Sequence, residues 1–147
     1  MRDPSLPVAD IVDIHSAVYA FFTAIDRCDD EGVVALMAPS FEWIRAGAEV
    51  IRDLPALRKT LAARSRTRVT RHLVSNVEIR SLSAGAASIH CDVLVFEKND
   101  VAPGTGPAVV PGPSLLLSSS DELVRVDGRW RIAKKQARAV FKFGISL

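Results

Sequence analysis

Residues 121–138 read DELVRVDGRWRIAKKQAR, two runs rich in branched and aromatic side chains joined by Asp127-Gly128. An Asp-Gly pair between such runs is a strong signal for a two-residue hairpin, so Leu115–Val126 and Arg129–Phe143 are expected to be antiparallel neighbours. Upstream, Val69–Arg80 and Ala86–Lys98 have the same character. The second half of the chain therefore reads as a four-stranded antiparallel meander. Between its second and third strands lies NDVAPGTGPAVVPGPS, residues 99–114. Its prolines and glycines exclude regular structure and suggest a flexible hairpin loop.

The first half is helical. Ile11, Ile14, Val18, Phe21, Phe22 and Ile25 recur at steps of three and four, which predicts an amphipathic helix from about Ala9 to Arg27. CDDEG, residues 28–32, breaks it, and Asp29 or Asp30 can cap a short helix from Glu31 to Met37 that ends before Pro39. FEWIRAG, residues 41–47, reads as a short strand with a turn at Gly47. Asp53, Leu54 and Pro55 start a third helix whose buried side carries Leu57, Leu61 and Ala62, until about Arg64. Residues 1–10 hold two prolines and read as a loose arm. Helices followed by hairpin-linked strands predict an α+β domain over 1–147, with the helices on one face of a curved sheet. A sheet folded around helices leaves room for a conical cavity. The strand Ile89–Phe96 is apolar on both faces, so both are expected to be covered, one by the cavity and one by a neighbouring subunit.

Composition narrows the function. The 147 residues are 48% hydrophobic and 24% charged, enough to build one core without a covalent staple. Cys28 and Cys91 are far apart, which gives neither metal-ligand spacing nor a disulfide framework and fits a reduced compartment. The uninterrupted apolar runs are shorter than a membrane span needs, and the N-terminal residues lack a signal-peptide stretch. A soluble, cytoplasmic protein is expected, with no membrane partner. A formal charge of +2 is too small to indicate nucleic acid by itself. Arg58, Lys59, Arg64, Arg66, Arg68 and Arg71 are the one basic concentration. They lack interleaved aromatics and read as a solvated helix-to-strand corner, with nucleic acid disfavoured. There is no glycine-rich phosphate loop.

Two ionisable residues stand out. Asp26 follows Phe22 by four and Val18 by eight, inside the apolar arc of the first helix, so its carboxylate faces inward and needs a partner. The plainer reading makes it a cap for the CDDEG turn. His72, in TRHLVSN at the start of the first long strand, has apolar neighbours, and a lone strand histidine is more often a half-buried structural residue. Taken together the two change meaning. An inward carboxylate can hold one imidazole nitrogen and leave the other free to move a proton, which is the arrangement of a general-base dyad. Tyr19 lies on nearly the same side of the helix as Asp26. His90 shares a strand face with Leu94 and Phe96, a polar mouth to an apolar wall. Phe22, Trp43, Leu94, Phe96 and Trp130 could line a binding chamber or simply fill the core.

AIDRCDDEGVVALMAPSFEW (residues 24–43), TRHLVSNVEI (70–79) and DELVRVDGRWRIAKKQAR (121–138), in this order and spacing, resemble the SnoaL-like branch of the nuclear transport factor 2-like superfamily over nearly the whole chain. The resemblance implies a cone-shaped barrel with a deep pocket, assembled as a homodimer or homotrimer through the outer sheet face. In relatives similar to scytalone dehydratase and hexachlorocyclohexane dehydrochlorinase, an aspartate at the end of helix one orients a histidine at the start of the long strand. Asp26 and His72 match those positions. The implied chemistry is removal of a proton from carbon, followed by loss of a leaving group, a double-bond shift or ring closure. The chain departs from scytalone dehydratase in having Ile25 beside the aspartate where that enzyme has tyrosine. It also has the neighbourhood of Phe96 in place of a second histidine, which puts the full water-eliminating apparatus in doubt; His90 is displaced from that position by about six residues.

The leading expectation is a cofactor-independent lyase, isomerase or cyclase acting on a small hydrophobic molecule, cyclic compounds included. His72 would be the base and Asp26 its orienting partner, with Arg138 meeting an anionic group. Tyr19, Phe22, Trp43, His90, Leu94, Phe96 and Trp130 would contact substrate, and no metal or cofactor is expected. The alternative is a non-catalytic binding module or structural partner subunit of the same fold.

Overall fold

A computed structural model describes residues 7–45 and 47–144. Three helices, α1 (Val8–Asp26), α2 (Asp30–Leu36) and α3 (Leu54–Ala62), pack against a five-stranded sheet. Its strands are β1 (Met37–Ile44), β2 (Val69–Leu82), β3 (Ala86–Lys98), β4 (Leu115–Val126) and β5 (Arg129–Lys142). The order is β1-β5-β4-β3-β2. β2 to β5 form the expected antiparallel meander, and β1 adds to β5 in parallel. Both central residues of the β4–β5 turn have positive φ, Asp127 at 50° and Gly128 at 77°, as a type I′ hairpin requires.

The two short helices begin where side-chain caps supply their first acceptors. Asp53 accepts from Ala56 N–H at 2.8 Å to start α3. Asp29 accepts from Gly32 N–H at 2.9 Å to start α2. A Cβ at Gly32 would lie 2.3 Å from Asp29 Oδ2, so this cap depends on glycine.

By length and composition α1 could cross a membrane. Here it is the core helix: Ile14, Val18, Phe21, Phe22 and Ile25 are buried and pack with Ile89, Val93, Leu123 and Ile132 from the sheet. Each large side chain so buried contributes about 1.5–3 kcal/mol.

Two boundaries differ from expectation. The arm anticipated over 1–10 is shorter, because Val8–Asp10 already belong to α1. Asp10 is buried and accepts from Trp130 Nε1 at 3.1 Å and Arg125 Nη1 at 3.0 Å, which pins the helix start to the β4–β5 hairpin. Residues 1–6 lie outside the described residues. The first strand begins at Met37, not at Phe41, and runs through Pro39. Proline is tolerated there because β1 is an edge strand whose register with β5 is irregular between Met37 and Glu42. Residues 99–114 connect β3 to β4 without helix or strand.

Candidate active site

The last residue of α1 and the first turn of inward-facing residues on β2 make the site. Cross-strand partners share a face, and His72 pairs with the buried Val95, so Thr70 and His72 point toward the helices. The Asp26 carboxylate receives three donors there. Thr70 Oγ1 donates to Oδ1 at 2.8 Å, the His72 backbone N–H donates to Oδ2 at 2.8 Å, and His72 Nδ1 meets Oδ1 at 2.6 Å. The two side chains are only 13% and 11% exposed. An ionised Asp26 makes Nδ1 the proton-bearing nitrogen and leaves the lone pair on Nε2. Among the described residues, no hydrogen bond occupies Nε2.

Three further groups shape the imidazole. Phe22, one helical turn before Asp26, stacks on it with ring centroids 5.2 Å apart and planes at 30°. Arg64 Nη1 donates to the Ile25 carbonyl at 2.9 Å, placing a cation at the C-terminal end of α1. From β5 of the sheet, Lys135 Nζ lies 4.5 Å from the Phe22 ring centroid. Burial pushes the His72 pKa below its ordinary value of 6.5; Asp26 opposes that shift, while Arg64 and Lys135 add to it. The ring is therefore held neutral and its Nε2 is available to accept a proton.

Of the other side chains expected at the site, Phe22 is in contact with His72. Trp43 does not reach it: it stands edge-on to Phe21 at 5.3 Å, and Phe21 in turn meets Phe22. Tyr19 is 45% exposed and faces solvent, two helical turns before Asp26 on nearly the same side of α1. Trp130 is buried beside Asp10. Asp10 and Asp26 are separated by roughly 24 Å along α1 at 1.5 Å per residue, so Trp130 fills the opposite end of the core.

His90, Leu94 and Phe96 lie on the outer face. Ala87, Ile89, Cys91, Val93 and Val95 are the buried residues of β3, and Leu94 pairs instead with Leu73, which is 52% exposed. With both faces of β3 apolar, alternation alone could not say which one turns inward. Arg138 is also outside, opposite Ser118. Counting alternately from the buried Trp130 and Ile132 would turn it inward, but β5 carries a bulge at Ala133, where Leu123 pairs with Ile132 and Glu122 with Lys134. Beyond the bulge the odd-numbered residues face the core.

That bulge turns inward a residue the sequence did not single out. Lys135 is 1% exposed; its Nζ donates to Asp121 Oδ2 at 2.7 Å and lies over the Phe21 and Phe22 rings. Ser119 Oγ donates to the other Asp121 oxygen at 3.2 Å. Thr70 was also missed, although its spacing of two from His72 places it on the same strand face. Cys91, on the same inner surface, has its thiol pushed up to about 11 by burial and is a poor nucleophile.

The basic corner is largely engaged. Arg58 pairs with Glu31, Arg66 with Asp30 at 2.7 Å, and Arg68 with Glu97, while Arg64 is bound to α1. The outer sheet face holds a polar cavity of about 200 Å³ lined by Arg80, Ser88, Ser120, Glu122, Lys134 and Gln136, none of which adjoins His72.

Comparison with known proteins follows the geometry. The family model for the SnoaL-like domain matches residues 7–136. The structure is similar to hexachlorocyclohexane dehydrochlorinase LinA-type3 from Novosphingobium barchaimii, at 15% identity over 95% of this chain and 92% of that one, with a TM-score of 0.76. It is similar to a candidate scytalone dehydratase from Novosphingobium aromaticivorans, at 21% identity over 95% and 90%, with a TM-score of 0.76. A ketosteroid isomerase-like protein from Erwinia carotovora atroseptica has 19% identity over 88% and 95%, with a TM-score of 0.68. At these identities the likeness establishes the fold. No curated protein matches the chain by sequence.

Proposed function

The chain belongs to the SnoaL-like domain family, and from that premise we propose that it is a cofactor-independent lyase or isomerase that removes a proton from carbon with an Asp26–His72 dyad. The observation that carries this reading is the 2.6 Å contact between His72 Nδ1 and Asp26 Oδ1, which leaves Nε2 without a protein partner among the described residues. In the reaction, Nε2 takes the proton and its C–H electron pair moves into a new double bond. That pair either expels a leaving group from the adjacent carbon or is delocalised until the imidazolium returns the proton elsewhere. Asp26 stabilises the imidazolium through Nδ1–H. The substrate is a small hydrophobic molecule, in keeping with the Phe22 ring stacked on His72. Two or three copies assemble through the outer sheet face, and the protein works in the cytoplasm.

The test uses three probes: a β,γ-unsaturated cyclic ketone, a polychlorinated cyclohexane and a cyclic β-hydroxyketone, covering isomerisation, loss of HCl and loss of water. Turnover of one of them should fall by about 10²–10⁴-fold in His72→Ala, the usual contribution of a positioned general base. Binding of these probes with no turnover assigns the site to a non-catalytic binding module, and turnover indifferent to His72 removes the histidine from the role of base.

A further inference from the structure

A charged pair inside an apolar core carries a steep desolvation cost, and well-packed hydrophobic residues in its place are often as stable or more so. Lys135 and Asp121 are such a pair, 1% and 2% exposed and joined at 2.7 Å. Their position in the core is not arbitrary. Lys135 Nζ sits 4.4 Å from the Phe21 ring centroid and 4.5 Å from that of Phe22, and Phe22 stacks on His72 at 5.2 Å. Those contacts place the ammonium within about 10 Å of the imidazole, through a region filled by aromatic carbon where water cannot screen it. The charged groups bearing on His72 are Asp26 from α1, Arg64 from the segment after α3, and Lys135 from β5.

We propose that Lys135, fixed by Asp121 against the two phenylalanine rings, is a positioning residue for the His72 base, its buried charge set one aromatic ring away from the imidazole. Asp26 alone would make the imidazole a more easily protonated, and hence less often available, base. Burial is the largest influence against that pull, and Lys135 adds to it without competing for Nδ1 or Nε2. It acts at a distance because its own donors are committed to Asp121 and the π faces. Asp121 holds it there, steadied by Ser119. The inference rests on His72 being the base of the proposed reaction, yet the coupling it predicts is measurable without any substrate.

The experiment is an NMR titration of the imidazole signals in the intact protein, which has three histidines. Two variants remove the charge. Lys135→Gln keeps a donor for Asp121 and leaves that carboxylate in place, while Lys135→Met with Asp121→Asn removes both ions and serves if the first variant fails to fold. In Lys135→Gln the His72 midpoint should rise by about one pH unit, as expected for a unit charge near 10 Å at an effective dielectric of about 20; in the double variant, where loss of the adjacent anion offsets part of the change, the rise should be smaller and in the same direction. Lys135→Arg should return it to the wild-type position, which a packing role alone would not do. The acid limb of any pH–rate profile should move with the midpoint. An unmoved His72 midpoint in the folded charge-removing variants overturns the proposal, whatever their turnover. Unchanged turnover in His72→Ala overturns the catalytic reading instead, so the two failures are distinct.

Discussion

Replacing Asp26 with asparagine should change which nitrogen of His72 carries the proton. In the wild type both carboxylate oxygens accept: Oδ2 from the His72 backbone N–H, Oδ1 from Thr70 and His72 Nδ1. An amide offers only one acceptor oxygen. Turning its NH₂ toward the His72 backbone would oppose two donors at 2.8 Å, since a backbone N–H cannot accept. The amide oxygen must therefore take the Oδ2 place, and the NH₂ faces Thr70 and His72 Nδ1. The threonine hydroxyl can rotate to accept, but the imidazole can accept only by moving its proton to Nε2. The lone pair that the proposed proton transfer requires then points at the amide, not outward from Nε2. The equivalent Asp→Asn change in Ser-His-Asp hydrolases lowers kcat by about 10⁴ through the same tautomer error. A loss of about 10³–10⁴-fold is expected here, equal to about 4–5.5 kcal/mol of transition-state stabilisation. Stability should fall by only about 1–3 kcal/mol, because charge-assisted hydrogen bonds become neutral ones instead of disappearing. Nitrogen-15 shifts of the His72 ring read the tautomer directly, urea titration reads the stability, and probe turnover reads the rate. A ring that keeps Nε2 unprotonated in Asp26→Asn, with turnover within tenfold of wild type, would refute the orienting role.

Three other outcomes are expected. Because the folded protein resists protonating His72 while the unfolded chain accepts the proton near pH 6.5, the unfolded state binds more protons below that pH. The unfolding free energy should therefore drop as pH falls through 6.5, by at most about 1.4 kcal/mol per pH unit from this group; urea midpoints at pH 7.5 and 5.5 should differ more in wild type than in His72→Gln. Gly32→Ala should lower stability by about 1–2 kcal/mol, because its Cβ would collide with the Asp29 cap, and a thermal melt that does not shift down would contradict this. Leu73 and Phe141, 52% and 58% exposed, should support assembly; light scattering should give two or three times 15.9 kDa for wild type and a smaller mass for Leu73→Asp with Phe141→Asp.

The elements legible in the sequence were those with one clean period. The first helix shows a single apolar stripe, and the β4–β5 hairpin has both residues its turn conformation demands, so each was found within a residue or two. The contact between Asp26 and His72 was legible only in part: the helix stripe turned Asp26 inward, the plainer readings made it a cap and His72 a structural residue, and the family resemblance is what joined them. What escaped were strand faces. β3 is apolar on both sides, so nothing local distinguished Ile89, Cys91, Val93 and Val95 from His90, Asp92, Leu94 and Phe96. In β5 a single bulge at Ala133 reverses parity, moving Arg138 out and Lys135 in. A bulge is specified by both strands of a pair and the twist between them, which one strand's sequence does not record.

The placement of Asp26 also argues for function over stability. A carboxylate in the last turn of a helix faces the negative end of the backbone dipole, the unfavourable end for an anion. Several features offset that cost: Arg64 bound to the Ile25 carbonyl, the hydroxyl of Thr70, and two N–H groups of His72. A leucine would need none of them. Lys135 and Asp121 repeat the pattern one aromatic layer away, another buried polar arrangement where an apolar pair would pack. Sequences that depart from their own hydrophobic pattern at two neighbouring places in one core do so where the site, and not the fold, sets the requirement. Here both departures converge on the ring of His72, Asp26 by direct contact and Lys135 through Phe22.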